Sequence, residues 1–133
     1  MNTLLRPVRR AATALLMLAA MQAGTAIAAS SDSIQSHSAD VNGVTLHYLE
    51  AGKGTATPVV LLHGYAQTSH MWRPLMRQLT HRHLVIAPDL RGAGTSSKPV
   101  GGYEKKNLAQ DIHALVKAKG YPKVKIVGHD IGL

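Results

Sequence analysis

Cysteine is absent from these 133 residues and so is phenylalanine; one tryptophan and four tyrosines supply all the aromatics. Without cysteine there is no disulfide and no thiolate metal site, so the fold rests on its apolar core. So few aromatics give no row of platforms for stacking bases. Acidic residues are scarce too, 7 against 15 Lys and Arg, for a formal net charge of +8. Arg6, Arg9 and Arg10 carry three of those charges, and without them the balance is 12 − 7 = +5. The remaining basic residues are scattered, with no basic helix among them, which reads as a solvated cationic surface and not a nucleic-acid interface. A membrane-spanning run is lacking as well. The apolar stretch that follows Arg10 is interrupted by Gln22, Gly24 and Thr25, short of the roughly 20 apolar residues a span needs.

What the opening does contain is a basic head, an apolar middle and the small-residue exit Ala26-Ile27-Ala28. That is the pattern of a cleaved signal peptide over residues 1–28. It implies a secreted or periplasmic protein with no stable membrane anchor after cleavage. Arg9-Arg10 only hints at twin-arginine export. Residues 29–38, "ASSDSIQSHS", are small and polar and read as a flexible mature N-terminus, leaving 39–133 as a single partial domain.

Asn42-Gly43 between alternating segments predicts a hairpin of strands near 35–41 and 44–50. "PVVLLHG" is a continuous apolar run, suited to a strand covered on both faces. Ser69 is placed to N-cap a helix over His70–Thr80, with Trp72, Leu75, Met76 and Leu79 as one stripe. "HLVIAP" is the next buried strand, and "DLRGAGTSSKP" a long loop. "YEKKNLAQDIHALVKAKG" is a second amphipathic helix, with Leu108, Ile112, Leu115 and Val116 facing inward and Gly120 closing it. "KVKIVGHD" is the last strand. A β-hairpin followed by βαβαβ means an α/β fold with a parallel sheet between helices.

In such a sheet ligands bind beyond the carboxyl ends of the strands. The loops "HGYAQTSHMW", "DLRGAGTSS" and "HDIGL" all leave such ends. The last contains Gly128-x-Asp130-x-Gly132, the spacing of the G-x-S-x-G elbow with a carboxylate at its centre. Asp130 has a blander reading, a turn aspartate that caps the next helix. His129 reads as a structural residue at the strand end, and His63 as an organiser of its loop through hydrogen bonds. Asp89 and Arg91 read as loop braces. "GAGTSS" lacks the P-loop lysine and the third Rossmann glycine. Of His70, His81 and His83, the last two, around a strand start, are read as pointing to opposite faces, so no metal site is expected, and no cofactor.

"LLHGYAQTSHMWRPLM", "VIAPDLRGAGTSSKP" and "VGHDIGL", in this order, resemble the α/β-hydrolase superfamily, specifically its epoxide hydrolase and haloalkane dehalogenase branch. The resemblance covers about residues 40–133, the N-terminal half of such a domain, truncated at the nucleophile elbow. It implies Asp130 as a nucleophile that forms an alkyl-enzyme ester, with the backbone N–H groups of Tyr65 and Ile131 as the oxyanion hole. His63, Gly64, Gly128, His129 and Gly132 then shape the site. The implied partner is a small-molecule epoxide or organohalide. Dehalogenases of the branch generally follow the nucleophile with Trp, or with Arg for fluoroacetate; Ile131 offers a halide nothing, so epoxide hydrolysis leads. The usual H-G-x-P has Ala66 in place of proline, which puts in question the aim of the Tyr65 N–H. All eight histidines precede Asp130, whereas the branch places its base and orienting acid after the nucleophile. These residues alone are therefore expected to be inactive and poorly soluble. A non-catalytic secreted binding module is the alternative from another class, and nothing here specifies an oligomeric state.

Overall fold

The computed structural model describes residues 33–54 and 56–133; the signal-peptide reading of 1–28 and residues 29–32 lie outside them. Five strands, β1 (Gln35–Val41), β2 (Val44–Ala51), β3 (Ala56–Leu62), β4 (His83–Pro88) and β5 (Lys125–Gly128), form one sheet in the order β1-β2-β4-β3-β5. The β1/β2 hairpin is antiparallel and turns on Asn42 and Gly43, both at positive φ (48° and 75°), as a type I′ turn requires. β1 begins at Gln35 and pairs with β2 from there. Residues 35–38 are thus strand, as the hairpin reading of 35–41 expects and not as their reading within a flexible N-terminus does: backbone pairing outweighs their polar side chains. β2 joins β4 antiparallel, while β3 lies parallel to both β4 and β5.

Alternation along β3 shows how the core is divided. Val60 and Leu62 pack with Leu46, Ile86 and the helix α2 (Lys105–Ala118) through Ile112, Leu115 and Val116. Val59 and Leu61 pack on the other face with Val85, Ala87 and the short helix α1 (Arg73–Leu79) through Met76, Leu75 and Leu79. Both faces of β3 are therefore buried, and its unbroken apolar run follows from that. α2 closes as its sequence predicts: Gly120 sits at φ 77° and Tyr121 N–H reaches Val116 O at 3.2 Å, a Schellman-type end.

The first helix departs from expectation. A 3-10 turn, Ser69–Trp72, precedes α1, and its cap is Thr68, whose side chain accepts from His70 N–H at 3.3 Å. Ser69 is buried, and its N–H is instead given to Asp89 Oδ1 at 2.6 Å. Pro74 in the first turn of α1 explains the late start of true helix, since it lacks an N–H yet has the φ a helix opening needs.

β3 is followed by β4 on one side and, after a second crossover, by β5 on the other. With one hand for both crossovers, α1 and α2 fall on opposite faces. The sheet's direction of growth reverses at β3, the point where α/β sheets open a crevice at their carboxyl rim. A hollow of about 630 Å³ lies between α2 and β5, walled by Leu108, Ile112, Val116 and Ile126 and reaching the turn after β5 at Gly128, Ile131 and Gly132. β5 is an edge among the described strands, with Ile126 59% and Val127 40% exposed. No helix of the described residues is long and apolar enough to cross a membrane.

Candidate active site

The loops after β3, β4 and β5 are tied to one another by hydrogen bonds. His129 extends the β3/β5 ladder, its N–H reaching Leu62 O at 3.0 Å. Asp130 follows at φ 52° and opens a 3-10 turn through Gly132. Left-handed backbone at a non-glycine residue costs roughly 1–2 kcal/mol, and the two flanking glycines are what make the turn possible. A Cβ on Gly128 would stand 2.3 Å from Gly132 O, and one on Gly132 would stand 2.4 Å from Leu62 O. Both contacts are to backbone, so neither can yield by a rotamer change.

The bent turn presents the Asp130 carboxylate at the sheet's rim. Its Oδ2 accepts the Tyr65 N–H, from the loop after β3, at 2.8 Å. That bond does most to hold the carboxyl below the usual carboxylate range; desolvation opposes it, and the Ile131 N–H and the charges of His129 and Lys105 add to it by less. The side chain is thus held as an anion, with the Tyr65 N–H of another loop bonded to it. The N-cap of the turn that Asp130 opens is His129, which makes no side-chain cap bond.

His63 is buried, and its protonation follows from its partners. Nε2 accepts the Leu90 N–H at 3.0 Å, so it carries a lone pair, and the proton sits on Nδ1, facing Gly64 O at 2.8 Å. With both nitrogens committed, His63 fastens the β3 and β4 loops together. Gly64 is packed against the elbow: a Cβ there would meet His129 Nδ1 at 2.6 Å. Gln67, which no motif marks out, lies behind this contact. Its Oε1 accepts from Gly64 N–H at 2.9 Å and faces His129 Nδ1 at 3.1 Å. Since Gly64 can only donate, the amide oxygen is fixed there, and His129 must carry its proton on Nδ1.

Ala66 stands at φ 54° and no peptide bond of the described residues is cis. The Tyr65 N–H is aimed at Asp130 all the same. Proline locks φ near −65°, so Ala66→Pro should lower the unfolding free energy by more than about 1 kcal/mol and weaken the Tyr65–Asp130 bond. Denaturant titration, together with the Tyr65 amide proton shift, measures both effects.

Asp89 and Arg91 brace the loop after β4. Buried Asp89 takes the Ser69 N–H at 2.6 Å on one oxygen, and His47 Nδ1 at 2.9 Å and Thr95 N–H at 3.3 Å on the other. Burial pushes its pKa up, but the Ser69, His47 and Thr95 hydrogen bonds outweigh it, and the group rests below its ordinary 3.8. A depressed carboxyl stabilises the fold at all pH above that ordinary value and loses its contribution as pH falls through the lowered one. Asp89→Asn should therefore flatten the loss of stability below pH 3.8; an unchanged acid limb in unfolding titrations would contradict this. Arg91 forks onto Asp111 of α2 with two bonds of 2.6 Å, and Asn42 of the hairpin turn adds a third at 2.7 Å. No group of three or more metal-ligating side chains occurs among the described residues.

The fold thus brings together a carboxylate on a glycine-flanked turn and a backbone N–H from the neighbouring loop, at the switch point of a mixed sheet. The family model for the alpha/beta hydrolase fold matches residues 57–132, and the chain belongs to that family. It is 46% identical over 102 residues to a soluble epoxide hydrolase of Corynebacterium sp. (strain C12), covering 77% of this chain and 35% of that protein. It is 39% identical over 98 residues to a fluoroacetate dehalogenase of Burkholderia sp., covering 70% and 32%. Among solved structures it matches the epoxide hydrolase CorEH with a TM-score of 0.72 at 46% identity, over 75% of this chain and 35% of that one. The chain spans about a third of the length of these relatives.

Proposed function

We propose that the full-length protein hydrolyses epoxides to diols, with Asp130 as its nucleophile. The observation that carries this reading is the 2.8 Å bond from the Tyr65 N–H to Asp130 Oδ2. It leaves Oδ1 as the oxygen that attacks ring carbon. The C–O bond of the strained ring breaks, its oxygen takes a proton from an acid, and an alkyl ester forms on Oδ1. Water, giving a proton to a base, then attacks Cγ. Negative charge develops on Oδ2, already opposite the Tyr65 N–H, with the Ile131 N–H as second donor. Collapse breaks the Cγ–Oδ1 bond to free the diol and the carboxylate. Such donors are worth roughly 2.7–4 kcal/mol each in the transition state. The depressed pKa of Asp130 serves the first step, because only the anion is nucleophilic.

The likeness to a soluble epoxide hydrolase supports this choice of substrate. The fluoroacetate dehalogenase relative supports a second reading, attack on a carbon bearing halide. Against it stands Ile131, whose side chain has no donor for a departing halide. Matched epoxide and organohalide substrates decide between them: diol with no halide release is expected, and halide release without diol overturns the epoxide reading. The eight histidines all precede Asp130, and the family's base follows its nucleophile in chain order. We propose accordingly that these 133 residues do not turn over substrate by themselves. The N-terminal pattern supports export as the route to the site of action.

A further inference from the structure

α2 begins against electrostatic expectation. A helix N-terminus carries partial positive charge and favours acids, yet its first two residues are Lys105 and Lys106, with no acid in the first turn. Glu104, at the cap position, makes no side-chain capping bond, and its carboxylate takes the Asn107 amide at 2.8 Å instead. Local rules broken in this way tend to mark residues kept for another purpose. Lys105 shows what that purpose is. Its Nζ donates to Ile131 O at 2.5 Å, a carbonyl of the turn that begins with Asp130.

We propose that Lys105 is a positioning residue that clamps the Asp130 turn to the start of α2, with its ammonium on the carbonyl of the next residue, Ile131. The nucleophilic part of this role rests on the reading of Asp130 given above; the clamp itself does not. Within the turn, Gly132 N–H reaches His129 O at 2.9 Å and Leu133 N–H reaches Asp130 O at 3.1 Å. A lysine reaching from the neighbouring helix joins it to an element anchored in the core by Ile112, Leu115 and Val116. Of the ionisable groups around the carboxylate, His129 on the same turn and Lys105 on α2 act on it by charge. His63 on the β3 loop is held neutral by its two bonds, and the Tyr65 phenol on that loop is 78% exposed.

The experiment compares Lys105→Met and Lys105→Arg in the full-length gene product, by two readouts. Amide hydrogen exchange at Gly132 and Leu133 should quicken about tenfold in Lys105→Met, the effect of losing one charge-assisted hydrogen bond, and return in Lys105→Arg. The acid limb of the pH profile for ester formation should move to higher pH in Lys105→Met and return with Arg; a residue that merely stabilised α2 would leave that limb in place. Unchanged exchange, or an acid limb that stays put while ester still forms, overturns the proposal. If the wild-type protein forms no ester at all, the nucleophile reading has failed, and the exchange rates alone decide the clamp.

Discussion

Asp130→Asn in the full-length gene product is expected to lower epoxide turnover by about 10⁴-fold or more, the scale on which losing an attacking group is felt. The amide keeps the shape of the carboxyl and its acceptor oxygen, so the Tyr65 N–H retains a partner. What is lost is the anion, and with it the electron pair that opens the ring. Mass spectrometry after mixing with substrate should show wild-type protein heavier by one substrate, and the variant unmodified. Asp130→Ala, which no slow hydrolysis of an amide can return to aspartate, should behave the same. An adduct that persists in both variants would remove Asp130 from the chemistry.

The second large effect is expected far from the reacting atoms, at Asp111. Its side chain and that of Arg91 are 2% and 7% exposed, joined by two 2.6 Å bonds. The fork raises the guanidinium's hold on its proton, first through those hydrogen bonds. Asp111→Ala would strand this buried cation and also take the partner of Asn42 at the hairpin turn. Breaking one half of such a pair costs about 3–5 kcal/mol, a large share of the roughly 5–15 kcal/mol that holds a domain folded. Chemical denaturation measures it directly. The double replacement of Arg91 by Met and Asp111 by Leu should recover much of the loss, because the penalty comes from an unpaired charge and not from a missing attraction. A single variant as stable as wild type would show that water reaches the guanidinium after all.

Most of the fold could be read along the chain because its signals are local. Asn42-Gly43 dictates a turn type, the apolar run of β3 announces a strand covered on both sides, and the stripe on α2 has the period of its helix. Start positions were harder where tertiary contacts compete with local ones. Ser69 has the chemistry of a cap, but Asp89, twenty residues on, claims its backbone; residues 35–38 look like tail, but β2 pairs with them. At the rim, the glycines around Asp130 could be found because their steric purpose leaves a spacing in the sequence. Gln67 and Lys105 could not, since a glutamine in a loop or a lysine on a helix is ordinary until the partner across the gap is known. Asp111, similarly, has no local feature to distinguish it from a solvated helix acid.

Ala66 bears on how such loops diverge. Proline at this position and a left-handed alanine are conformations of opposite sign in φ, so one loop form cannot pass to the other by a single substitution without first spoiling the aim of the Tyr65 N–H. Glycine alone is at ease in both. A lineage crossing between the two would pass through a glycine intermediate, or would have to redraw the whole segment from His63 to Gln67 at once.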